Sequence, residues 1–349
     1  MYKAIKLNAE TIYEQPLLDR VLIGRRLLGT SREMLWRVNM LGMVYQMEND
    51  KKALDRLNDE VVAVCNFSYW NPSHFLDVAE MATAVALAVD WVGDDLPAST
   101  VKLAKEALIQ KGIEPSWNGN KGRMYGTNNW NQVCNAGMIA AAIAVFELNP
   151  ELAAKTIKRS LDGMNVALSE YAPDGVYPEG AIYWGYGTQF SVTTAAMFES
   201  ALGTDFGLAD FPGFKESAVF RMLSSAPSGK LFNYADCAEG PERYTDFTLS
   251  WFAAKTGNRQ FLNEEKLMLS PEKRGVISRL AGAGLVWTAQ FEEKDSEEIP
   301  SGWKGEGANP IVVFTDSKDE SNGYYFGGKG GRGTVNHGNM DGGSFIFEL

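Results

Sequence analysis

Apolar residues recur at three- and four-residue spacing from about residue 15 to about residue 225, with punctuation every 15 to 25 residues. A chain patterned in that way buries its apolar stripes helix against helix, because a helix presents one face every 3.6 residues. The spacing predicts helices near 15–29, 32–48, 52–66, 74–94, 99–112, 129–147, 150–171, 181–203 and 213–225. Several breaks have a chemical cause: Asn71-Pro72-Ser73, Asn149-Pro150 and Pro212-Gly213 each carry helix-start chemistry. Short connections imply antiparallel neighbours, and serial hairpins of this kind close into a toroid or a bundle. After about residue 275 the texture changes. Val286-Trp287-Thr288, Pro310 to Phe314 and Tyr324-Tyr325-Phe326 are short β-rich runs separated by turn-forming residues, the pattern of antiparallel strands. Glu292 to Glu298 is acidic and polar, as in a solvated loop.

Composition narrows the function. With 349 residues the chain can bury a substantial core, and 45% hydrophobic with 22% charged residues excludes a disordered polymer. A net charge of -11 argues against general nucleic-acid affinity, although a local basic patch can still meet an anionic ligand. Cys65, Cys134 and Cys237 are odd in number and widely spaced, which favours buried thiols over a disulfide framework or a zinc site. No apolar run is long enough to cross a membrane and no charged-then-apolar leader opens the chain, so no membrane partner is expected. A strand-like run ends at Leu349 with nothing to pair with, which suggests a piece of a longer protein.

Chemistry concentrates in the stretch Gly327 to Leu349, where a glycine-dense loop holds Lys329, Arg332, Asn336, His337, Asn339 and Asp341 before the alternating run Ser344 to Leu349. Glycines let backbone approach a ligand closely, and a loop held by a strand is a common seat of function. His337 is one of two histidines, so candidates for proton transfer near neutral pH are few. The other, His74, follows Asn71-Pro72-Ser73 and reads as a capping or partly exposed residue. Lys329 is followed by Gly330 and no helix, which rules out a phosphate-binding loop of the Walker kind. No cluster with metal-ligand spacing is visible, so no metal and no cofactor are expected.

A polar loop, Lys121 to Asn128, enters a helix whose early face carries Asn128, Asn131, Gln132 and Asn135, with Thr127 or Asn128 as its cap. Amides at a helix start bind carboxylates, or else form a capping and inter-helix network. Tyr171 to Gly187 contains the turns Asp174-Gly175 and Pro178-Glu179-Gly180, after which Tyr183, Tyr186 and Phe190 form a stripe, either core packing or phenols presented to a cleft. Asn233 to Arg243 is polar enough for a site and equally natural as a loop, and it receives no role.

Together, the asparagine-rich helix entrance, the Asp-Gly…Tyr-Pro-Glu-Gly…Tyr-Trp-Gly-Tyr-Gly stretch and the terminal Asn-His-Gly-Asn-Met-Asp-Gly-Gly-Ser-Phe resemble the heparinase II/III-like polysaccharide lyases, relatives of alginate lyases and of the uronyl epimerase of dermatan sulfate. The resemblance covers roughly residues 60–349. It implies a mainly α chain: an incomplete (α/α) toroid of antiparallel helix hairpins over 1–274, then the start of an antiparallel β-sandwich over 275–349. It implies cleavage of a uronic-acid-containing polysaccharide by β-elimination, in the periplasm or outside the cell. By the same resemblance Asn129 neutralises the uronate carboxylate, Tyr183 serves as base, acid or both with Tyr186 as its substitute, and His337 assists. Asn128, Trp130, Gln132, Asn135, Arg123, Glu179, Arg332 and Asn339 are then expected to bind the anionic glycan, with Lys121 and Lys329 adding positive charge beside the polar loops. Two departures stand out: Trp130 and Asn135 occupy places where many relatives carry a histidine, and Asn339 replaces a second terminal-loop histidine that in relatives ligates a structural divalent metal. Metal binding is therefore expected only in a longer chain.

Two other readings remain open. A glycosidase on a helical toroid would use Asp174 and Glu179 as a carboxylate pair. A non-catalytic glycan-binding relative would use the nine tryptophans for stacking.

Overall fold

A computed structural model describes residues 1–118, 122–240, 247–262, 277–296, 298–316 and 323–349. The chain is mainly helical, with one four-stranded antiparallel sheet among the described residues. The helices are α1 (Tyr2–Ile12), α2 (Leu28–Glu48), α3 (Lys51–Cys65), α4 (Phe75–Val92), α5 (Ala98–Ala107), α6 (Glu114–Trp117), α7 (Gly122–Tyr125), α8 (Asn129–Ala144), α9 (Pro150–Leu168), α10 (Ala181–Leu202), α11 (Ser217–Leu223), α12 (Thr248–Thr256) and α13 (Ala281–Ala289). A π-helical stretch, Leu108–Ile113, joins α5 to α6. The strands are β1 (Gly302–Gly305), β2 (Ile311–Thr315), β3 (Tyr325–Lys329) and β4 (Phe345–Glu348), paired in that order. No described helix is long and apolar enough to cross a membrane.

Packing divides the chain into two compact units, each drawing on three stretches. The first comprises Met1–Met124, Val133–Met164 and Glu264–Val286; the second comprises Tyr125–Gln132, Asn165–Asn263 and Trp287–Leu349. The domain boundary expected at 274/275 falls outside the described residues, as does Lys121. In the first unit α2 packs against α1, α3 and α4. Helix α3 starts where the Asp50 side chain accepts from the Lys52 amide at 2.8 Å, and α2 stops at Asn49 in the left-handed region.

Two expected elements are corrected. No helix covers 15–29: α1 lies earlier, α2 begins at Leu28, and between them the chain runs irregularly to a tight turn in which the Ile23 and Arg26 backbones pair. The reason is a charged staple. Glu60, fully buried, accepts from the Leu18 amide at 3.1 Å, while Arg37 and Arg56 donate to the carbonyls of Pro16 and Gln15 at 2.9 and 2.8 Å. These bonds satisfy backbone groups that a helix would have satisfied internally. Val286-Trp287-Thr288, expected as a strand, lies in α13. Trp287 is buried there, and packing overrides a weak β preference over three residues.

The sheet belongs to the second unit. Inward residues Ile311, Val313, Thr315, Tyr325 and Lys329 are buried and outward neighbours are more exposed, the period-2 burial of strands, which the sequence expected at 310–314 as a β-rich run and at 344–349 as an alternating one. Strand β1 was missed because Gly302 and Gly305 bracket only Trp303 and Lys304. The loop between β3 and β4 carries His337. Its base is closed by the Lys329 amide donating to Ser344 O at 2.9 Å and the Gly343 amide donating to Lys329 O at 2.8 Å, so the glycine-rich loop is anchored by strands at both ends.

Candidate functional site

In the second unit four separate stretches of chain meet around Glu179 and His337. Helix α10 begins after Gly180, whose φ of 84° suits a glycine and whose missing side chain matters: a Cβ would lie 2.9 Å from Tyr234 O. That start fixes Tyr183 in the first turn. The Tyr183 ring lies over the His337 ring, centroids 3.9 Å apart and planes 18° apart. His337 Nδ1 meets Asp236 Oδ2 at 2.6 Å. A carboxylate only accepts, so Nδ1 carries the hydrogen in this pair. The imidazole is about a quarter exposed and Asp236 half exposed.

Glu179, the residue before Gly180, is 1% exposed. It accepts from the Asn129 backbone amide at 3.2 Å and from the Asn129 side-chain amide, and the Asn336 side chain also bonds to it. Burial pushes its carboxyl up to about 7, against the opposing pull of Asn129, of the His337 charge and of Asn336. A buried carboxyl that ionises less readily than usual therefore sits at the start of α8, within electrostatic reach of His337.

The remaining expected residues fall into three groups. Asn128 caps α8, accepting from the Trp130 amide at 3.1 Å, and Trp130 is half-buried. Asn129 is 1% exposed with its amide on Glu179, so it serves the chain's own carboxylate rather than standing open to a ligand's. Gln132 is fully buried: Nε2 donates to Tyr171 Oη at 2.8 Å and Ser191 Oγ at 2.9 Å, and Oε1 accepts from Tyr177 Oη at 2.7 Å. Its expected place on a substrate face is corrected to a hydrogen-bonded core, where its amide bonds to three buried hydroxyls. Burial pushes the Tyr171 and Tyr177 phenols up, so they stay neutral.

Asn135 and Arg123 belong to the first unit. Asn135 is fully buried and donates to Met124 O at 3.0 Å, which corrects it from ligand contact to internal bonding. Arg123 donates to Pro72 O at 3.2 Å and lies 4.3 Å over the Phe75 ring, so its charge is engaged within that unit. Tyr186 is half-buried and edge-on to Phe190 at 5.9 Å; the ring over His337 is that of Tyr183. Arg332 and Asn339 are exposed on the β3–β4 loop, and the Arg332 charge acts on Glu170. Lys329 is buried and paired with Asp341, so it is not a surface cation for a polyanion.

Asp236 and Asn336 are the contributors that sequence reasoning left without a role. The polar character of 233–243 was the one available signal, and it does not single out Asp236.

Among the described residues no group of three or more His, Cys, Asp or Glu side chains is placed to hold a metal ion. No family model matches this chain, and no curated protein matches it.

The core under α10 carries its own test. A Cβ at Gly187 would collide with Gln132 Oε1 and lie 2.8 Å from Tyr177 Oη. Replacing Gly187 by Ala is expected to cost about 2–3 kcal/mol of stability in urea denaturation, through overpacking and a broken buried amide. A loss below about 0.5 kcal/mol would mean that the network yields freely, contrary to this account.

Proposed function

We propose that the chain is a polysaccharide lyase that cleaves a uronic-acid-containing glycan by β-elimination. The observation that carries this reading is the stacked Tyr183–His337 pair, with Asp236 on Nδ1 of the imidazole. Elimination requires three acts at one sugar: removal of the proton on the carbon beside the carboxylate, formation of the ring double bond as the glycosidic carbon–oxygen bond breaks, and protonation of the departing oxygen. A phenol and an imidazole held together are able to pass a proton at that place, and Tyr183 and His337 take those parts. Arg332, exposed on the same loop as His337, offers charge to the polyanion. Asn129 takes a positioning part through Glu179, because its amide is already engaged.

The glycosidase reading gains nothing from the geometry: Glu179 is 1% exposed, and Asp174 accepts from the Glu306 amide at 2.9 Å in a turn. With the elimination reading go its finer companions, an (α/α) toroid of helix hairpins, an antiparallel sandwich and work in the periplasm or outside the cell.

Incubation with alginate, heparan, chondroitin and hyaluronan, followed by ultraviolet absorbance, tests the reaction class. New absorbance from an unsaturated uronate on at least one polymer is expected. New reducing ends without that absorbance would mean hydrolysis, and binding without either product would mean a lectin-like protein.

A further inference from the structure

Five non-glycine residues among those described have positive φ, and two of them flank a single hydrogen bond: Ala235 at 54°, next to Asp236, and His337 at 58°. Asparagine tolerates this region, whereas alanine and histidine occupy it at an energetic cost. Such backbone persists only where the surroundings impose it, and here they do. The Ala235 amide donates to Asp341 Oδ2 at 3.1 Å, and Asp341 Oδ1 is paired with the buried Lys329 ammonium at the end of β3. Burial alone would push the Asp341 carboxyl up, but Lys329 and the Ala235 amide outweigh it and hold it below the usual carboxylate range. Tyr234, one residue before the strained alanine, donates from Oη to Tyr177 O at 2.7 Å. The loop carrying Asp236 is thus clamped at the strained residue and at the residue before it.

We infer that Asp236 is the positioning residue of this site, and that the Lys329–Asp341 clamp exists to hold its carboxylate against His337 Nδ1. The consequence is a tautomer. A neutral histidine in water places its hydrogen mainly on Nε2, which leaves that nitrogen unable to take a proton. A carboxylate on Nδ1 draws the hydrogen there and leaves the Nε2 lone pair for the reaction. The inference rests on the elimination reading only for its kinetic consequence; the tautomer itself is a property of the chain.

The chain has two histidines, so imidazole nitrogen-15 NMR at alkaline pH resolves the matter directly. Wild-type His337 is expected to show the hydrogen on Nδ1, and Asp236→Ala to shift it mainly to Nε2. His74, whose own Nδ1 meets Asp77 Oδ1 at 2.6 Å, is the internal standard, and its unchanged signals report an intact fold. On an active substrate the same variant should lower kcat by about 10²-fold or more with KM nearly unchanged. The inference is overturned if wild-type His337 already carries its hydrogen on Nε2, a result that needs no variant, or if Asp236→Ala leaves the tautomer as it was. A wild type inactive on every uronate polymer, with the tautomer responding as expected, would instead remove the elimination reading and leave the role of Asp236 standing.

Discussion

Tyr183→Phe is expected to lower the rate of double-bond formation by about 10²–10⁴-fold, the usual worth of a positioned proton-transfer group. The change removes one oxygen and keeps the ring, so the stack on His337 at 3.9 Å survives. Tyr183 is half-buried at the start of α10, where loss of a hydroxyl should change stability by less than about 0.5 kcal/mol. A thermal scan run beside the kinetics therefore separates lost chemistry from lost fold. Tyr186→Phe is the paired control. That phenol belongs to a ring edge-on to Phe190, and its removal should leave turnover within about threefold, well short of a proton-transfer effect. If Tyr186→Phe abolishes turnover and Tyr183→Phe does not, the assignment of the proton-transfer phenol is wrong.

The second large effect is on stability, and it depends on pH. Glu179 has a folded value of about 7 against an ordinary 4.5, raised first by burial. The sign follows from proton counting: between those two values the folded chain keeps a proton that the unfolded chain has released. Stability from this group is therefore full below about pH 4.5 and is lost as pH rises through about 7, where the folded chain must carry a buried anion. A gap that wide is worth roughly 3 kcal/mol. Glu179→Gln removes the titration while keeping a neutral group of similar shape beside Asn129 and Asn336. In urea denaturation, wild type is expected to lose roughly 3 kcal/mol relative to the glutamine variant between pH 4.5 and pH 8. Parallel curves for the two proteins across that range would show that Glu179 ionises normally.

Much of the fold was legible because helices announce themselves locally. Seven of the expected helical segments, from 32–48 to 181–203, correspond to α2, α3, α4, α5, α8, α9 and α10, and the α8 cap was legible as Thr127 or Asn128, of which Asn128 makes the bond. Strands β2, β3 and β4 were visible as short β-rich runs bounded by turns. The failures share a cause. The 15–29 segment has helical spacing, but it is held in an irregular course by Glu60, Arg37 and Arg56, which lie far along the chain. Val286-Trp287-Thr288 has β-rich composition, but its packing is helical.

The site divides in the same way. Tyr183 and His337 were named from their motifs, and the tertiary structure stacks them. Gln132 and Asn135 looked like ligand-facing amides because a helix face can be counted from sequence, whereas what the face meets cannot. Both are buried, Gln132 bonding to three hydroxyls and Asn135 donating to Met124 O. Asp236 carried no signal because its partner lies 101 residues away.

By itself, then, the amino-acid order determined the element types, the polar loops and the short list of groups able to move protons, since each depends on neighbours within a few turns of chain. Only the tertiary structure decided which amides are internal, that Glu179 is buried with its carboxyl pushed up, and that Asp236 grips the imidazole. Those properties come from desolvation and from contacts between stretches 50 to 101 residues apart, and no local pattern encodes either.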